Sequence, residues 1–239
     1  MTSTLEVTGL SVVYGGVKPL RDVSLTFDRD VCGLVGPNGA GKTTFFNVLS
    51  GFAAAATGSV TFDGEDLLAM SSAKRARWGL RRTFQQEQVI QGLSAWDNIR
   101  LTAEHTRGGR AGVERAVDFV GLTDLNRTGS ALSMLERRLV EIAKTVCGDP
   151  RIVLLDEPAA GLDAGETERL SALMRRIPEE FGALVVLVDH DMDLVSTVCG
   201  TTAVLDFGQL IALGPTAEVL TSSEVRKAYL GTADVEEAL

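Results

Sequence analysis

Eight residues, GPNGAGKT from Gly36 to Thr43, constrain this chain more than any others. They satisfy G-x-x-x-x-G-K-[ST] in full and stand between an apolar run, VCGLV (31–35), and a helical stretch, TTFFNVLSGF. The order is strand, loop, helix. Gly36, Gly39 and Gly41 carry no Cβ, so backbone N–H groups, that of Asn38 among them, can turn inward around phosphate oxygens. The helix that follows presents its positive N-terminus to the same anion. Lys42 is placed to reach the β- and γ-phosphates, and the Thr43 hydroxyl, followed by Thr44, to ligate Mg²⁺. A glycine-rich turn that merely joins strand to helix would not need all eight positions. A dinucleotide fold would show GxGxxG and would have no use for Lys42 and Thr43. The ligand expected is a nucleoside triphosphate with Mg²⁺.

The second half of such a site needs a carboxylate beside the metal. RIVLLDE (151–157) is an apolar strand ending in two. Asp156 fits the Mg²⁺ shell, and Glu157 is suited to orient or deprotonate an attacking water. A second apolar strand, ALVVLVDH, ends at His190, where a ligand-facing side chain is expected. The other histidine, His105, stands in a helical stretch with no motif around it and reads as a surface residue.

Apolar strands alternating with helices predict a parallel sheet covered on both faces. LEVTGLSVVY and PLRDVSLTF alternate instead and are joined by Gly15-Gly16, a hairpin signal. GSVTFDGEDL (58–67) returns to strand and turn. Residues 88–150 change texture: WDNIRLTAEH, VERAVDFVGL and ERRLVEIAKTV place apolar residues at helical spacing. The expected organisation is one domain over 1–239, with an α/β core of 1–87 and 151–239 and a helical insertion at 88–150. AGETERLSALMRRI and DMDLVSTVC read as helices of the core, and TTAVLDFGQLIAL as two short strands about Asp206–Gly208.

The formal net charge of −9 argues against a nucleic-acid binder, which would neutralise phosphates with clustered cations. The three cysteines, Cys32, Cys147 and Cys199, form no CxxC pair and point to a reducing cytosol. MTSTLEVTGL lacks the pattern of a signal peptide, and no apolar run reaches the roughly 18–20 residues that span a bilayer. A membrane role would therefore run through a partner.

GPNGAGKTT, LLDEP, AGLD and LVDH, in this order and spacing, resemble the nucleotide-binding subunit of an ABC transporter, over nearly the whole chain. The resemblance implies a phosphate-loop NTPase fold, with a RecA-like parallel core, an antiparallel β subdomain and an inserted α-helical subdomain. It implies ATP hydrolysis with Mg²⁺. Gln85 in RRTFQQ resembles the glutamine that contacts Mg²⁺ or its water and links the core to the helical subdomain. Asp163 in AGLD resembles an aspartate at the dimer seam. His190 resembles the histidine that reaches the γ-phosphate, and Tyr14 the aromatic residue that stacks on adenine.

In that family a signature close to LSGGQ lies about twenty residues before LLDE, and two subunits meet head to tail, each ATP between one phosphate loop and the other's signature. LSMLE, Leu132 to Glu136, stands in that place: Leu132 and Ser133 are kept, while Met134, Leu135 and Glu136 replace both glycines and glutamine. A side chain at Leu135 would obstruct the close approach to a γ-phosphate, and Glu136 would set a like charge near it. Ser133 to Glu136 is equally an S-x-x-E capping box, stable without nucleotide. Two readings stay open: a weakened signature, or a working variant.

GKTTFFNVLSGF, PAAGLD and FGQLIALGPTAEVLTSSEVRKAYLG resemble the ATPases of branched-chain amino-acid importers and their relatives for urea and amides. The partners so implied are a second, non-identical ATPase subunit with an intact signature, two membrane permease subunits and an extracytoplasmic solute-binding protein. The location implied is cytoplasmic and peripheral, on the inner face of the plasma membrane. Glu87 to Trp96 is the expected surface for a permease helix. A lipid or polysaccharide exporter ATPase shares much of the pattern. A soluble ABC ATPase of translation or DNA repair would usually carry two such units or a long coiled-coil insertion.

Overall fold

The computed structural model describes residues 3–28, 30–104, 106 and 108–230; His105 and the end of the C-terminal stretch from Gly231 lie outside them. Three strands open the chain: β1 (Thr4–Tyr14), β2 (Val17–Asp28) and β3 (Val31–Val35). β1 and β2 turn about Gly15 and Gly16, both at positive φ, with Tyr14 opposite Val17. Such a turn matches the right-handed twist of the paired strands. Along β1 the buried positions are Leu5 and Val7, then Leu10 and Val12. The change of parity falls at Gly9, at φ 61°, where the pairing with β2 shifts register. A bulge there keeps both halves of the strand facing the core. β4 (Thr57–Phe62) and β5 (Glu65–Asp66) complete an antiparallel sheet of order β2-β1-β4-β5.

β3 enters a second sheet with β6 (Leu80–Arg82), β7 (Ile152–Asp156), β8 (Leu184–Val188), β9 (Thr201–Asp206) and β10 (Gln209–Pro215), in the order β10-β9-β3-β8-β7-β6. β3, β6, β7, β8 and β9 run parallel, and β10 returns antiparallel at the edge. All residues of β3, β7 and β8 are buried, as a sheet covered on both faces requires. Their side chains alternate between two apolar cores. Ile152, Leu154, Leu184 and Val186 join β1, β2, β4 and α1 (Lys42–Ser50), with Phe27, Phe45, Phe46 and Phe62 at the centre. Val153, Leu155, Val185 and Leu187 face the opposite way, toward the helices.

Of those helices, α2 (Ser72–Trp78) precedes β6, while α3 (Ala95–Ala103), α4 (Gly109–Val120) and α5 (Met134–Val146) lie in chain order between β6 and β7. α6 (Ala164–Phe181) and α7 (Met192–Val198) alternate with the parallel strands, and α8 (Thr216–Thr221) and α9 (Ser223–Leu230) follow β10. The apolar faces of α3, α4 and α5 share one core with α6, α7 and a face of the parallel sheet.

Two elements had no sequence signal. β6 reads LRR, whose arginines hide a strand, yet Leu80, Arg81 and Arg82 pair with Ile152, Val153 and Leu154. α2 is short, begins at the Ser71 cap and buries Arg75, whose guanidinium bonds the carbonyls of Val48, Leu49 and Met70. α6 also runs past Ile177 through Pro178 to Phe181. The proline ring lacks one helical donor, but the burial of Ile177 and the left-handed Gly182 cap, whose N–H bonds the Pro178 carbonyl at 3.0 Å, let the helix continue.

Candidate functional site

The loop from Gly36 to Thr43 is wedged between β2 and the β9–β10 turn. A Cβ on Gly36, at φ 149°, would lie 2.1 Å from the Leu205 carbonyl oxygen, and one on Gly41, at φ 108°, 2.4 Å from that of Pro19. The Ala40 carbonyl accepts the Gly208 N–H at 3.1 Å, and the Gly208 carbonyl accepts the Arg21 N–H at 2.7 Å. Gly39, at φ 82°, faces open space on the exposed side of the loop, beside Asn38. α1 begins at Gly41 with no side-chain cap, which leaves its first N–H groups directed at whatever the loop encloses. Thr43 is exposed and Thr44 half-buried in that first turn. Lys42 donates to the carbonyls of Gly36 and Pro37, the latter at 3.0 Å. Burial pushes its pKa down, against the pull of Glu157 and Asp156.

β7 delivers Asp156, 8% exposed, to the edge of this cradle. Its N–H donates to Thr83 Oγ1 at 2.9 Å, and its Oδ2 takes a 3.1 Å hydrogen bond and ion pair from Arg82. Burial pushes the Asp156 carboxyl up, and Arg82 counters it. Arg82 also bonds Asn47 Oδ1 of α1 at 2.8 Å, and its guanidinium lies over the rings of Phe46 and Phe84 at 5.3 and 5.0 Å. The sequence suggests Arg81-Arg82, like Lys74 to Arg77, as a basic patch on an exposed, solvated face. Instead Arg75 and Arg81 are buried and the Arg82 side chain is 6% exposed, because acceptors from distant segments draw each guanidinium inward.

The chain turns sharply at Glu157, whose φ is 48° and whose N–H donates to the Val188 carbonyl at 2.8 Å. A non-glycine residue held there is strained backbone at a site. The turn aims the Glu157 side chain between two partners: Gln85 Nε2 at 3.5 Å and His190 Nδ1 at 3.9 Å. The structure thus brings together Gln85, Asp156, Glu157 and His190 from the ends of three adjacent strands, β6, β7 and β8. The His190 side chain is 74% exposed, free to turn toward a ligand.

Asp189 is a residue that sequence reading missed, although it lies inside the quoted LVDH. It is 3% exposed; its Oδ1 accepts the N–H groups of His190 at 2.8 Å and Asp191 at 3.0 Å, and lies 3.7 Å from His190 Nδ1. Its Oδ2 is buried with no protein partner among the described residues. Burial pushes this carboxyl up. A carboxylate directly after five apolar strand residues was the available signal.

Ser133, Asp163 and Tyr14 lie elsewhere. Ser133 caps α5 and Asp163 caps α6, each in a reciprocal capping box, with Glu136 and Glu166 respectively. Glu136 is not a free charge: Oε2 accepts the Ser133 N–H at 2.7 Å and Oε1 meets Arg127 Nη1 at 2.5 Å. The Ser133 bond and Arg127 hold its carboxyl below the usual range. Leu135, expected to obstruct an incoming phosphate, is half-buried and packs toward the core instead, since the helical turn carries it inward. Met134 is the exposed member at 45%, and its sulfur lies 2.8 Å from where a Cβ on Gly161 would stand. LSMLE and AGLD therefore abut within one chain. Tyr14 is half exposed at the hairpin tip with Val13 and Val17.

This geometry can enclose a polyphosphate, neutralise it with Lys42 and a cation, and set a carboxylate where a water would attack. The family model of the ABC transporter matches residues 20–160. The high-affinity branched-chain amino acid transport ATP-binding protein BraF of Pseudomonas aeruginosa is 36% identical over 251 residues, covering 96% of this chain and 98% of its own. A solved ATP-binding cassette of an ABC transporter in its ADP conformation superposes with a TM-score of 0.88 at 24% identity, covering 97% of this chain and all of the other. A dimeric bacterial ABC transporter cassette does so with a TM-score of 0.77 at 22% identity, over 89% of this chain and 98% of that one.

Proposed function

This chain belongs to the ABC transporter family as one of its ATP-hydrolysing subunits, and from that premise we propose that it powers movement of a branched-chain amino acid or a similar polar solute. The observation that carries the solute class is the full-length identity with a branched-chain amino acid transport ATP-binding protein. The chain acts as one domain, a core of 1–87 and 151–239 with a helical subdomain of 88–150. Among the described residues no helix is long and apolar enough to cross a membrane. A pair of permease subunits supplies the path, a solute-binding protein outside feeds it, and this chain sits peripherally on the inner face of the plasma membrane.

The N–H groups of the loop and of the α1 start bind the triphosphate, and Lys42 exchanges two carbonyl partners for phosphate oxygens. Tyr14 stacks on the adenine. The donors near Asp156 fit Mg²⁺: a Thr43 hydroxyl, one buried carboxylate and the Gln85 amide are hard oxygen ligands, too few for an all-protein cage, as suits a cation shared with phosphates. Among the described residues no cluster of three His, Cys, Asp or Glu could hold another metal. When bound, Mg²⁺ neutralises charge on the phosphates. Glu157 takes the proton of the attacking water, and His190 holds the γ-phosphate.

The cassette works with a second, non-identical subunit. Met134 stands 45% exposed where the family signature has a glycine, and Glu136, in place of the glutamine, is tied to the Ser133 N–H and to Arg127. The ATP of this chain is therefore cleaved against the partner's signature, and the partner's ATP, facing LSMLE, turns over slowly. Turnover of this chain alone and with its partner tests the arrangement. Glu157→Gln should abolish turnover of the pair; turnover unchanged by Glu157→Gln but lost with the equivalent change in the partner overturns it. Uptake of labelled leucine by vesicles holding the complete assembly tests the solute.

A further inference from the structure

Asp189 is a carboxylate in a place where an amide would do. It follows the five buried residues of β8 and is itself 3% exposed. Its Oδ1 accepts the N–H groups of His190 and Asp191, which turns the chain out of the sheet and into α7. Asparagine makes such turns equally well and buries no charge. The other oxygen, Oδ2, is buried with no protein partner among the described residues. Burial pushes the carboxyl up, against the pull of the two N–H groups and of His190. A charge placed so is costly unless something nearby uses it.

The His190 ring can use it. Its Nδ1 lies 3.7 Å from Asp189 Oδ1 and 3.9 Å from Glu157 Oε1. Neither distance is yet a hydrogen bond, and Nδ1 carries one proton that can serve one of the two carboxylates. The choices differ chemically. Given to Glu157, that proton occupies a carboxylate which has to accept the proton of the attacking water. Given to Asp189, it leaves Glu157 free and turns Nε2, on the other side of the ring, away from the strand end.

The carboxylates also differ in rigidity. Asp189 is fixed by two backbone bonds, whereas Glu157 reaches out on a longer side chain that also meets Gln85. The fixed acceptor loses less freedom when the bond forms. Other titratable groups nearby are committed elsewhere. Asp191 Oδ1 caps α7 through the N–H groups of Asp193 and Leu194. Lys42 is drawn to Glu157 and Asp156. Cys199, near Asp189, is pushed up to about 12, mainly by burial, and stays neutral.

We propose that Asp189 is a positioning residue for ATP hydrolysis: it takes the Nδ1 proton of His190, so that Nε2 faces the γ-phosphate and Glu157 stays free for water. To donate at both ends the ring carries a proton on each nitrogen, the second taken from solvent. The carboxylate behind it balances that charge and fixes the orientation of the ring. Asp189 itself touches no nucleotide. The inference deepens the proposed ATP-hydrolysing function, and rests on it for what meets Nε2.

Ring-nitrogen NMR of the full chain tests the contact without nucleotide. The sequence holds two histidines, His105 and His190, so His190→Ala assigns the signals. In mildly alkaline solution a neutral ring keeps one proton. The His190 ring should keep it on Nδ1 in the wild type and in Glu157→Gln, and should release it to Nε2 in Asp189→Ala. A proton on Nε2 in the wild type, its loss from Nδ1 in Glu157→Gln, or its retention there in Asp189→Ala would overturn the assignment.

Turnover of the ATPase pair tests what the contact does. Asp189→Asn keeps the turn and removes the charge. It should lower kcat about tenfold, the difference between a charged and a neutral hydrogen bond, with the KM for ATP little changed. In a His190→Ala background the same change should have no further effect, because the group it acts through is gone. An equal loss with and without His190, or no loss in either, would overturn the proposal. Absence of turnover in the wild-type pair would instead remove the ATPase reading, and the ring spectra would still decide the contact.

Discussion

Ser133 and Glu136 satisfy each other's backbone: the Ser133 N–H donates to Glu136 Oε2 at 2.7 Å, and the Glu136 N–H donates to Ser133 Oγ at 3.2 Å. The pair starts α5 without any ligand, at the place where the family resemblance sets a phosphate-binding signature. The acid at position 136 therefore serves the helix, with Arg127 as its counter-ion.

Ser133→Ala should lower stability by about 1 kcal/mol, as loss of an N-cap does. Glu136→Gln should also destabilise, in a pH-dependent way. The folded Glu136 pKa is depressed, so its contribution is present above the unfolded value and lost as pH falls through the folded one. Melting temperatures of wild type and Glu136→Gln should differ most near neutrality and converge on acidification.

The glycines of the loop separate into two kinds. Gly36→Ala would drive a Cβ into the Leu205 carbonyl and should yield unfolded or insoluble protein. Gly39→Ala meets nothing within 4 Å, so only the left-handed φ of 82° is penalised, on the order of 1 kcal/mol. The Gly39→Ala protein should fold and lose ATP affinity, because a residue that resists φ 82° turns the neighbouring loop N–H groups away from the geometry that faces phosphate. Circular dichroism and nucleotide titration distinguish the two.

Arg82→Met should cost about 3–5 kcal/mol, the penalty for leaving a buried carboxylate unpaired. Arg82→Lys should recover little, since one ammonium cannot serve Asp156 and Asn47 in the fork that the guanidinium makes. Adding Asp156→Leu to Arg82→Met should restore part of the stability, measured by denaturant midpoint, while removing activity.

Glu157→Gln should reduce ATP turnover by roughly 10²–10⁴-fold, the range expected for loss of a general base, with ATP affinity retained. His190→Ala should also slow turnover. Fluorescent-nucleotide binding measured beside phosphate release separates the two effects.

Much of this site was legible because its chemistry is local. GPNGAGKT is a contiguous loop whose glycines, lysine and threonine each answer a geometric need, and LLDE and LVDH are strand ends whose apolar runs declare burial. Arg82 and Asp189 were not legible as site residues. Arg82 acquires its role from Asn47 and Asp156, which lie 35 and 74 positions away. Asp189 matters because it is buried with one oxygen unpaired, a fact of packing and not of spacing. Nor could LSMLE be resolved from its letters: Leu135 turns inward and Met134 rests by Gly161 only because α5 packs as it does.

The sequence by itself determined the phosphate loop, the alternation of strands and helices, the two carboxylates at the end of the β7 run and the capping box of α5. Each is written in residues a few positions apart, whose backbone demands are met locally. The tertiary structure decided which strand ends meet, so that Gln85, Glu157 and His190 converge, and which side of α5 is buried, so that Leu135 turns inward. Those relations rest on sheet order and packing, which arise from contacts between distant segments and leave no periodic trace along the chain.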